Sequence, residues 1–331
     1  MKLLEMTCEG FRVPDATYAF HQQRTPQETV LVTGAPGSGK TSLLRLIAAV
    51  KEAIAPYGSP PDFSGLVRGG GAFARVRSTW LLSERDAARA RPPAGEQKVE
   101  VEIEPDGHVC KCDSSLGDAL VPVGQAATRF ELFPANRRLD VESWRHPHPP
   151  LSAVIEDGRR LGGEPDKYGG LRRVLHDLAL AQAGGVARVL DAKGVALRGD
   201  QPDLFAPYKQ AVAGLLPDLR LLAVEPREGT VILRFGRRSG IEVFLQELSA
   251  SEEQAVLFAL VHVWRGLSHS VVLVDSPELH VHGQHHADFF GRLLRLGAGN
   301  QVIAATGSEA LLRSLPAAQV IDLSKPVEKA R

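Results

Sequence analysis

Cysteine is scarce, three in 331 residues, and forms no framework. That excludes a disulfide-stapled scaffold and fits a reducing compartment. No charge sign is in excess: Lys+Arg and Asp+Glu each number 39. The chain therefore carries no global basic field of the kind that draws proteins onto nucleic acid. The arginine pairs at 137–138, 159–160, 172–173 and 237–238 read as solvated faces. No apolar run approaches the roughly 20 residues of a membrane span, and no secretory leader pattern opens the sequence. A cytoplasmic location without membrane partners is expected. Internal repeats, low-complexity stretches, a Ser/His/Asp triad and a nuclease-like carboxylate cluster are all lacking. What remains is 44% hydrophobic and 24% charged, enough for one large domain or two ordinary ones.

Against that background one stretch stands out: Gly34-Ala35-Pro36-Gly37-Ser38-Gly39-Lys40-Thr41. It follows the apolar run Val30-Leu31-Val32 and precedes Ser42 and a segment of helical periodicity ending near Val50. Strand, glycine-rich loop and helix in this order make a phosphate-binding loop. The glycines let successive N–H groups face one concavity at a helix N-terminus, where an anion is favoured. Gly34, Pro36, Gly37, Ser38, Gly39, Lys40, Thr41 and Ser42 are the expected nucleotide-binding residues. Lys40 would reach the β- and γ-phosphates, and the Thr41 hydroxyl would ligate Mg²⁺. The expected cofactors are ATP and Mg²⁺.

The rest of the chain organises around that loop. Lys2 to Met6 and Thr17 to Phe20 read as a hairpin leading into the loop's strand. Residues 74–82 and 98–103 read as further antiparallel strands, the second alternating apolar and charged residues. Phe130 to Phe133 is a strand ending in a Pro-punctuated turn, and 146–150 is a Pro/His linker. Leu171, Val174, Leu175 and Leu178 have helical spacing, as does 205–216 more loosely. Strands follow at 219–224, 230–235 and 241–244, and then a helix near 252–266 capped by Ser249. The buried strand Val271-Val272-Leu273-Val274, a helix near 284–296 and strands at 301–305 and 319–323 complete a βα alternation. Such alternation implies a mostly parallel sheet. The expected organisation is 1–149 as the first part of the head with an antiparallel β subdomain, 150–217 as a helical insertion, and 218–331 as the second part.

Asp275 closes the apolar run 271–274, the arrangement of a Walker B carboxylate that holds Mg²⁺ at a sheet's C-terminal edge. With Thr41 it makes the expected metal pair. A glycine-rich loop near one end and this aspartate near the other argue against an AAA+ motor. Glu247-Leu248-Ser249-Ala250-Ser251-Glu252 opens the preceding helix.

At these residues the chain resembles the ABC-type ATPases of the structural-maintenance (SMC), RecF and overcoming-lysogenization (OLD) group. Leu248-Ser249-Ala250-Ser251-Glu252 is similar to their Leu-Ser-Ser-Gly-Glu signature. Asp275-Ser276-Pro277-Glu278-Leu279-His280-Val281-His282 is similar to Asp-Glu-Pro-Glu-Leu-His-Leu-His. Phe133-Pro134-Ala135-Asn136-Arg137 resembles a Phe-Pro-x-x-Arg turn, and Gly10-Phe11-Arg12 an Asn-Phe-Arg turn that lacks its Asn. The resemblance implies an α/β P-loop NTPase head, a mostly parallel sheet plus an antiparallel β subdomain, with a helical insertion. It also implies a homodimer sandwiching two ATP molecules, with Ser249 and Ser251 of one subunit facing the nucleotide of the other. A partner effector protein, DNA as a further partner, and a place in bacterial anti-phage defence are roles it allows.

Three departures shape the functional expectation. The resemblance implies a catalytic Glu where Ser276 stands, a switch His where Gly307 stands, and a signature Gly where Ser251 stands. Serine is no general base at neutral pH without help, and a positioned base is worth about 10²–10⁴-fold. Glu278, three residues past Asp275, is the candidate substitute, so Glu278 and Ser276 are the catalytic candidates. Tight ATP binding with slow hydrolysis is expected. The alternative is a nucleotide-gated scaffold without significant ATPase activity. His280, His282, His285 and His286 read as family and helix residues rather than metal ligands. His108, Cys110 and Cys112 read as a surface turn. Arg137 is open between a phosphate or DNA contact and a structural salt bridge.

Overall fold

The computed structural model describes residues 1–57, 63, 65–69, 73–87, 93–113, 116, 130–139, 161, 167–193, 202–227 and 230–325. The linker at 146–150 and the 149/150 boundary lie outside them. In chain order the elements begin with strands β1 (Lys2–Glu9), β2 (Ala16–Ala19), β3 (His21–Gln22), β4 (Thr25–Pro26) and β5 (Thr29–Thr33). Helix α1 (Lys40–Ile54), strand β6 (Ala74–Leu82), the single turn α2 (Glu84–Ala87), and strands β7 (Gly95–Ile103), β8 (Val109–Asp113) and β9 (Phe130–Phe133) follow. Then come helices α3 (Gly169–Lys193) and α4 (Ala206–Leu215), strands β10 (Leu219–Arg227), β11 (Thr230–Arg237) and β12 (Glu242–Phe244), and helix α5 (Ala250–Arg265). Strand β13 (Val271–Asp275), helix α6 (His286–Leu293), strand β14 (Gln301–Ala305), helix α7 (Glu309–Ser314) and strand β15 (Gln319–Asp322) complete the order.

The chain forms two compact units, one of Met1–Ala135, Ala153–Gly163 and Leu267–Arg331, the other of Asn136–Ser152 and Glu164–Gly266. The first unit holds a five-stranded sheet in the order β15-β5-β14-β13-β9, and every pairing in it is parallel. β13 and β14 are buried along their whole length, which explains why they read as continuous apolar runs rather than alternating ones. A second sheet, β2-β1-β6-β7-β8, is antiparallel. β7 buries Val99, Val101 and Ile103, while Glu100 and Glu102 pair with Arg75 and Arg77 on the other face. One core joins the two sheets: Trp80 of β6 meets Phe130 of β9 edge-on, ring centroids 5.6 Å apart. α1 lies in the same core, with Leu43, Leu46, Ile47 and Val50 buried, the i, i+3, i+4, i+7 pattern of a helix face.

The second unit holds the antiparallel sheet β10-β11-β12, with α3 and α4 against it and α5 against α4. The helices of the 150–217 segment thus pack with strands and a helix that follow them in sequence. Leu171, Leu175 and Ala179 of α3 and Leu221, Leu233 and Phe235 of the sheet are among its buried side chains.

Two local expectations are corrected. Cys110 and Cys112 lie on β8, a strand hydrogen-bonded to β7, and not on a turn. The sequence hides this because β8 is short and breaks register, with Glu102 opposite Lys111 but Ile103 opposite Val109. The helix expected to reach 296 ends at Leu293. Beyond it Arg295 N bonds Arg292 O and Leu296 N bonds Leu293 O, tightening the chain into i→i+3 turns. Gly297 follows at φ +158, where a Cβ would stand 2.1 Å from the Leu267 carbonyl.

Candidate functional site

Between β5 and α1 the backbone turns through left-handed residues at Gly34 (φ 146), Gly37 (φ 78) and Gly39 (φ 97). A Cβ on Gly34 would stand 2.6 Å from Ser38 Oγ, and one on Gly39 would stand 3.3 Å from the Arg12 carbonyl. The loop therefore needs glycine both for its conformation and for its close packing. Ser38 N closes the first turn on the Ala35 carbonyl at 3.1 Å. The Ser38 hydroxyl is buried and has no hydrogen-bond partner among the described residues. Lys40 Nζ folds back over the loop, donating to the Gly34 carbonyl at 2.8 Å and the Ala35 carbonyl at 3.0 Å.

The N–H groups of Gly37, Gly39, Lys40, Thr41 and Ser42 donate to no acceptor among the described residues. Those of Lys40, Thr41 and Ser42 are the orphan donors of a helix's first turn, and Gly39, the N-cap, supplies no side-chain cap. A cluster of unpaired N–H donors at the positive end of the α1 dipole is suited to an oxyanion.

The decisive contact lies beside that cluster. Thr41 Oγ1 donates to Asp275 Oδ2 at 2.9 Å, joining residues 234 apart in sequence. The sheet order explains it: β5 and β13 flank β14, so the C-terminal ends of β5 and β13 open on the same edge of the sheet. Asp275, at the end of β13, is 5% exposed, whereas Thr41 is exposed. A hydroxyl and a buried carboxylate side by side make an oxygen donor pair that fits Mg²⁺.

The loops after β13 and β14 are tied together as well. Ser276 has φ 51, and its N–H donates to the Ala305 carbonyl at 2.8 Å. Glu278 Oε1 accepts the Gly307 N–H at 3.0 Å, and Glu278 Oε2 is buried with no hydrogen-bond partner among the described residues. His286 bridges the same loops, its Nε2 2.9 Å from the Val281 carbonyl and its Nδ1 2.8 Å from Ser308 Oγ. The first contact requires Nε2–H as donor, so in the neutral ring Nδ1 accepts from Ser308. His280, His282 and His285 are exposed. No group of three or more His, Cys, Asp or Glu side chains able to hold a metal occurs among the described residues, and none of their helices is long and apolar enough to cross a membrane.

One contact had no sequence signal: Ala35 N donates to Ser324 Oγ at 2.9 Å. Ser324 follows β15, and a lone serine after a strand belongs to no motif.

The remaining candidates lie in the second unit. Ser249 caps α5 in a reciprocal box with Glu252. Its N–H and its hydroxyl both reach Glu252 Oε2 at 2.8 Å, and Ser251 Oγ is 3.2 Å from Ser249 Oγ. Ser251 sits in the first helical turn, a conformation that does not call for glycine. Arg237 grips Glu252 with two nitrogens, at 2.5 and 3.1 Å. Burial raises the Glu252 pKa, but the hydrogen bonds from Arg237 and Ser249 outweigh it and hold the carboxyl below its ordinary range. Arg137 is 7% exposed, and its guanidinium lies 4.8 Å from the Phe258 ring centre.

No family model and no curated protein matches the sequence. Solved structures do. An Smc head bound to the C-winged-helix domain of ScpA is 14% identical, covers 97% of this chain and 94% of its own, and has a TM-score of 0.56. The Smc head domain from Pyrococcus furiosus, with an extended coiled coil and bound to the C-terminal domain of ScpA, is 15% identical, with coverage of 97% and 93% and a TM-score of 0.54. The Smc head domain with a coiled coil and joint from Pyrococcus yayanosii is 12% identical, with coverage of 97% and 94% and a TM-score of 0.54. The fold is that of an Smc head. At these identities the likeness establishes the ABC-type ATPase fold with its P-loop, as the resemblance of the motifs implied, and nothing about reaction or partners.

Proposed function

We propose that this protein is an ABC-type ATPase head that binds MgATP, closes as a homodimer around it and works through a partner protein. The observation that carries the reading is the Thr41–Asp275 hydrogen bond at the mouth of a loop rich in unpaired N–H donors. In this reading the N–H groups of Gly37 and of residues 39 to 42 cradle the α- and β-phosphates, and Lys40 exchanges the Gly34 and Ala35 carbonyls for the β- and γ-phosphates. Thr41 and Asp275 hold the metal, which when bound neutralises charge on the phosphates. Ser249 and Ser251 of one copy meet the nucleotide held by the other. Their commitment to Glu252 implies that this cap loosens when the dimer forms.

Hydrolysis is slow in this reading. Ser276 supplies no base. The Glu278 carboxylate is engaged by the Gly307 N–H, so it serves first as a clamp between two loops. The same observation favours a nucleotide-gated scaffold as the second reading: binding does the work and cleavage is vestigial. A bacterial anti-phage effector and DNA are partners compatible with either.

The test is single-turnover cleavage of ATP with Mg²⁺, alongside the protein's mass with and without nucleotide. ATP-dependent doubling of mass with little cleavage supports the proposal. No nucleotide binding, or binding unchanged by Lys40→Ala and Asp275→Ala, would overturn it.

A further inference from the structure

We infer that Ser324 is a positioning residue for nucleotide binding, tethering the phosphate loop to the end of β15. This rests on the nucleotide-binding reading above. The peptide between Gly34 and Ala35 is held on both sides: its carbonyl accepts from Lys40 Nζ at 2.8 Å, and its N–H donates to Ser324 Oγ at 2.9 Å. The next carbonyl, of Ala35, accepts from Lys40 at 3.0 Å and from Ser38 N at 3.1 Å.

When Lys40 moves to phosphate, both of its bonds to the loop are lost. The Ser324 tether then becomes the only bond from outside the loop to this stretch among the described residues. It is anchored on rigid backbone. β15 pairs with β5 up to Asp322 opposite Thr33, and Leu323 N reaches the Thr33 carbonyl at 2.9 Å. Asp322 Oδ1 accepts the Ser324 N–H at 3.0 Å and fixes the turn that presents the hydroxyl. Gly34, at φ 146, has no side chain to restrict it, so the tether supplies the restriction from the end of the adjacent strand.

The tether acts on the loop rather than on a phosphate, so ATP and ADP should lose affinity alike. The experiment is titration of the full chain with ribose-labelled fluorescent ATP and ADP in Mg²⁺, for wild type, Ser324→Ala and Ser324→Thr, with melting temperatures measured without nucleotide. Ser324→Ala is expected to bind both nucleotides about threefold to tenfold more weakly, the worth of one hydrogen bond (about 0.6–1.4 kcal/mol). Its nucleotide-free melting temperature should be unchanged, and Ser324→Thr should restore affinity. Equal affinity of Ser324→Ala and wild type overturns the role of Ser324 alone. So does a loss confined to ATP, or a loss that tracks a lower melting temperature and is not rescued by Thr. Wild-type protein that binds neither nucleotide overturns the reading beneath it, and the tether's role with it.

Discussion

Replacing Glu278 separates a clamp from a base. Its Oε1 takes the Gly307 N–H at 3.0 Å, and its Oε2 is buried without a hydrogen-bond partner among the described residues. A hydrogen bond to a charged acceptor is worth about 1.5–3 kcal/mol, and a neutral one about 0.5–1.5 kcal/mol. Glu278→Gln keeps an acceptor oxygen of the same reach and loses only the charge assistance, about 1 kcal/mol or roughly fivefold in the opening of the loop. Glu278→Ala loses the whole contact, about 2 kcal/mol or roughly thirtyfold. Amide hydrogen exchange at Gly307 reads this directly, because exchange follows local opening. Single-turnover ATP cleavage, measured on the same variants, should be slow in wild type and change by less than about threefold in Glu278→Gln, against the 10²–10⁴-fold that loss of a general base costs. An ordinary cleavage rate in wild type that Glu278→Gln abolishes, with Gly307 protection intact, would refute the clamp and make Glu278 the base.

Other predictions follow from the same contacts. A Ser276→Glu, Gly307→His double variant should raise cleavage by at least about tenfold; a Cβ at Gly307 meets nothing within 4 Å among the described residues, and an unchanged single-turnover rate counts against position 276 as the site of the missing base. Gly34→Ala should cost about 1–3 kcal/mol through backbone strain and eliminate nucleotide binding, because its Cβ would lie 2.6 Å from Ser38 Oγ; thermal melting and nucleotide titration check this. The Glu252 pKa is lowered in the folded chain, so its contribution is present above the unfolded value near 4.3 and is lost as pH falls through the folded value. Acid titration of melting temperature should show a shallower fall below about pH 4.5 for Glu252→Gln than for wild type, and identical slopes would remove Glu252 from the account.

Legibility in the sequence followed local regularity. Residues 34–41 were readable because the loop's conformation demands glycine at fixed spacing, and 271–275 because a strand buried on both faces has no polar positions until its end. α1 and the cap at Ser249 announced themselves through periodicity and a Ser-x-x-Glu box. The pairing of Thr41 with Asp275 was expected from the two motifs, but the other contacts that give the site its character were not readable. Glu278–Gly307 and Ala35–Ser324 depend on strand order, and nothing near Ser324 marks it as a neighbour of a loop 289 residues away. β8 was missed for a local reason: its bulge against β7 breaks the period-2 alternation a strand shows.

The order of strands in the parallel sheet also governs how this protein emerges from synthesis. β5, the strand that carries the phosphate loop, is made early, yet both of its neighbours, β14 and β15, are made late. The 234 residues between Thr41 and Asp275 take about 10–50 s to translate at roughly 5–20 residues per second. Throughout that interval an apolar Val-Leu-Val strand has two open edges and no permanent partner, a state prone to aggregation. The nascent chain is therefore expected to lean on chaperones until β13–β15 arrive, and nucleotide has no formed site to bind on the ribosome before then.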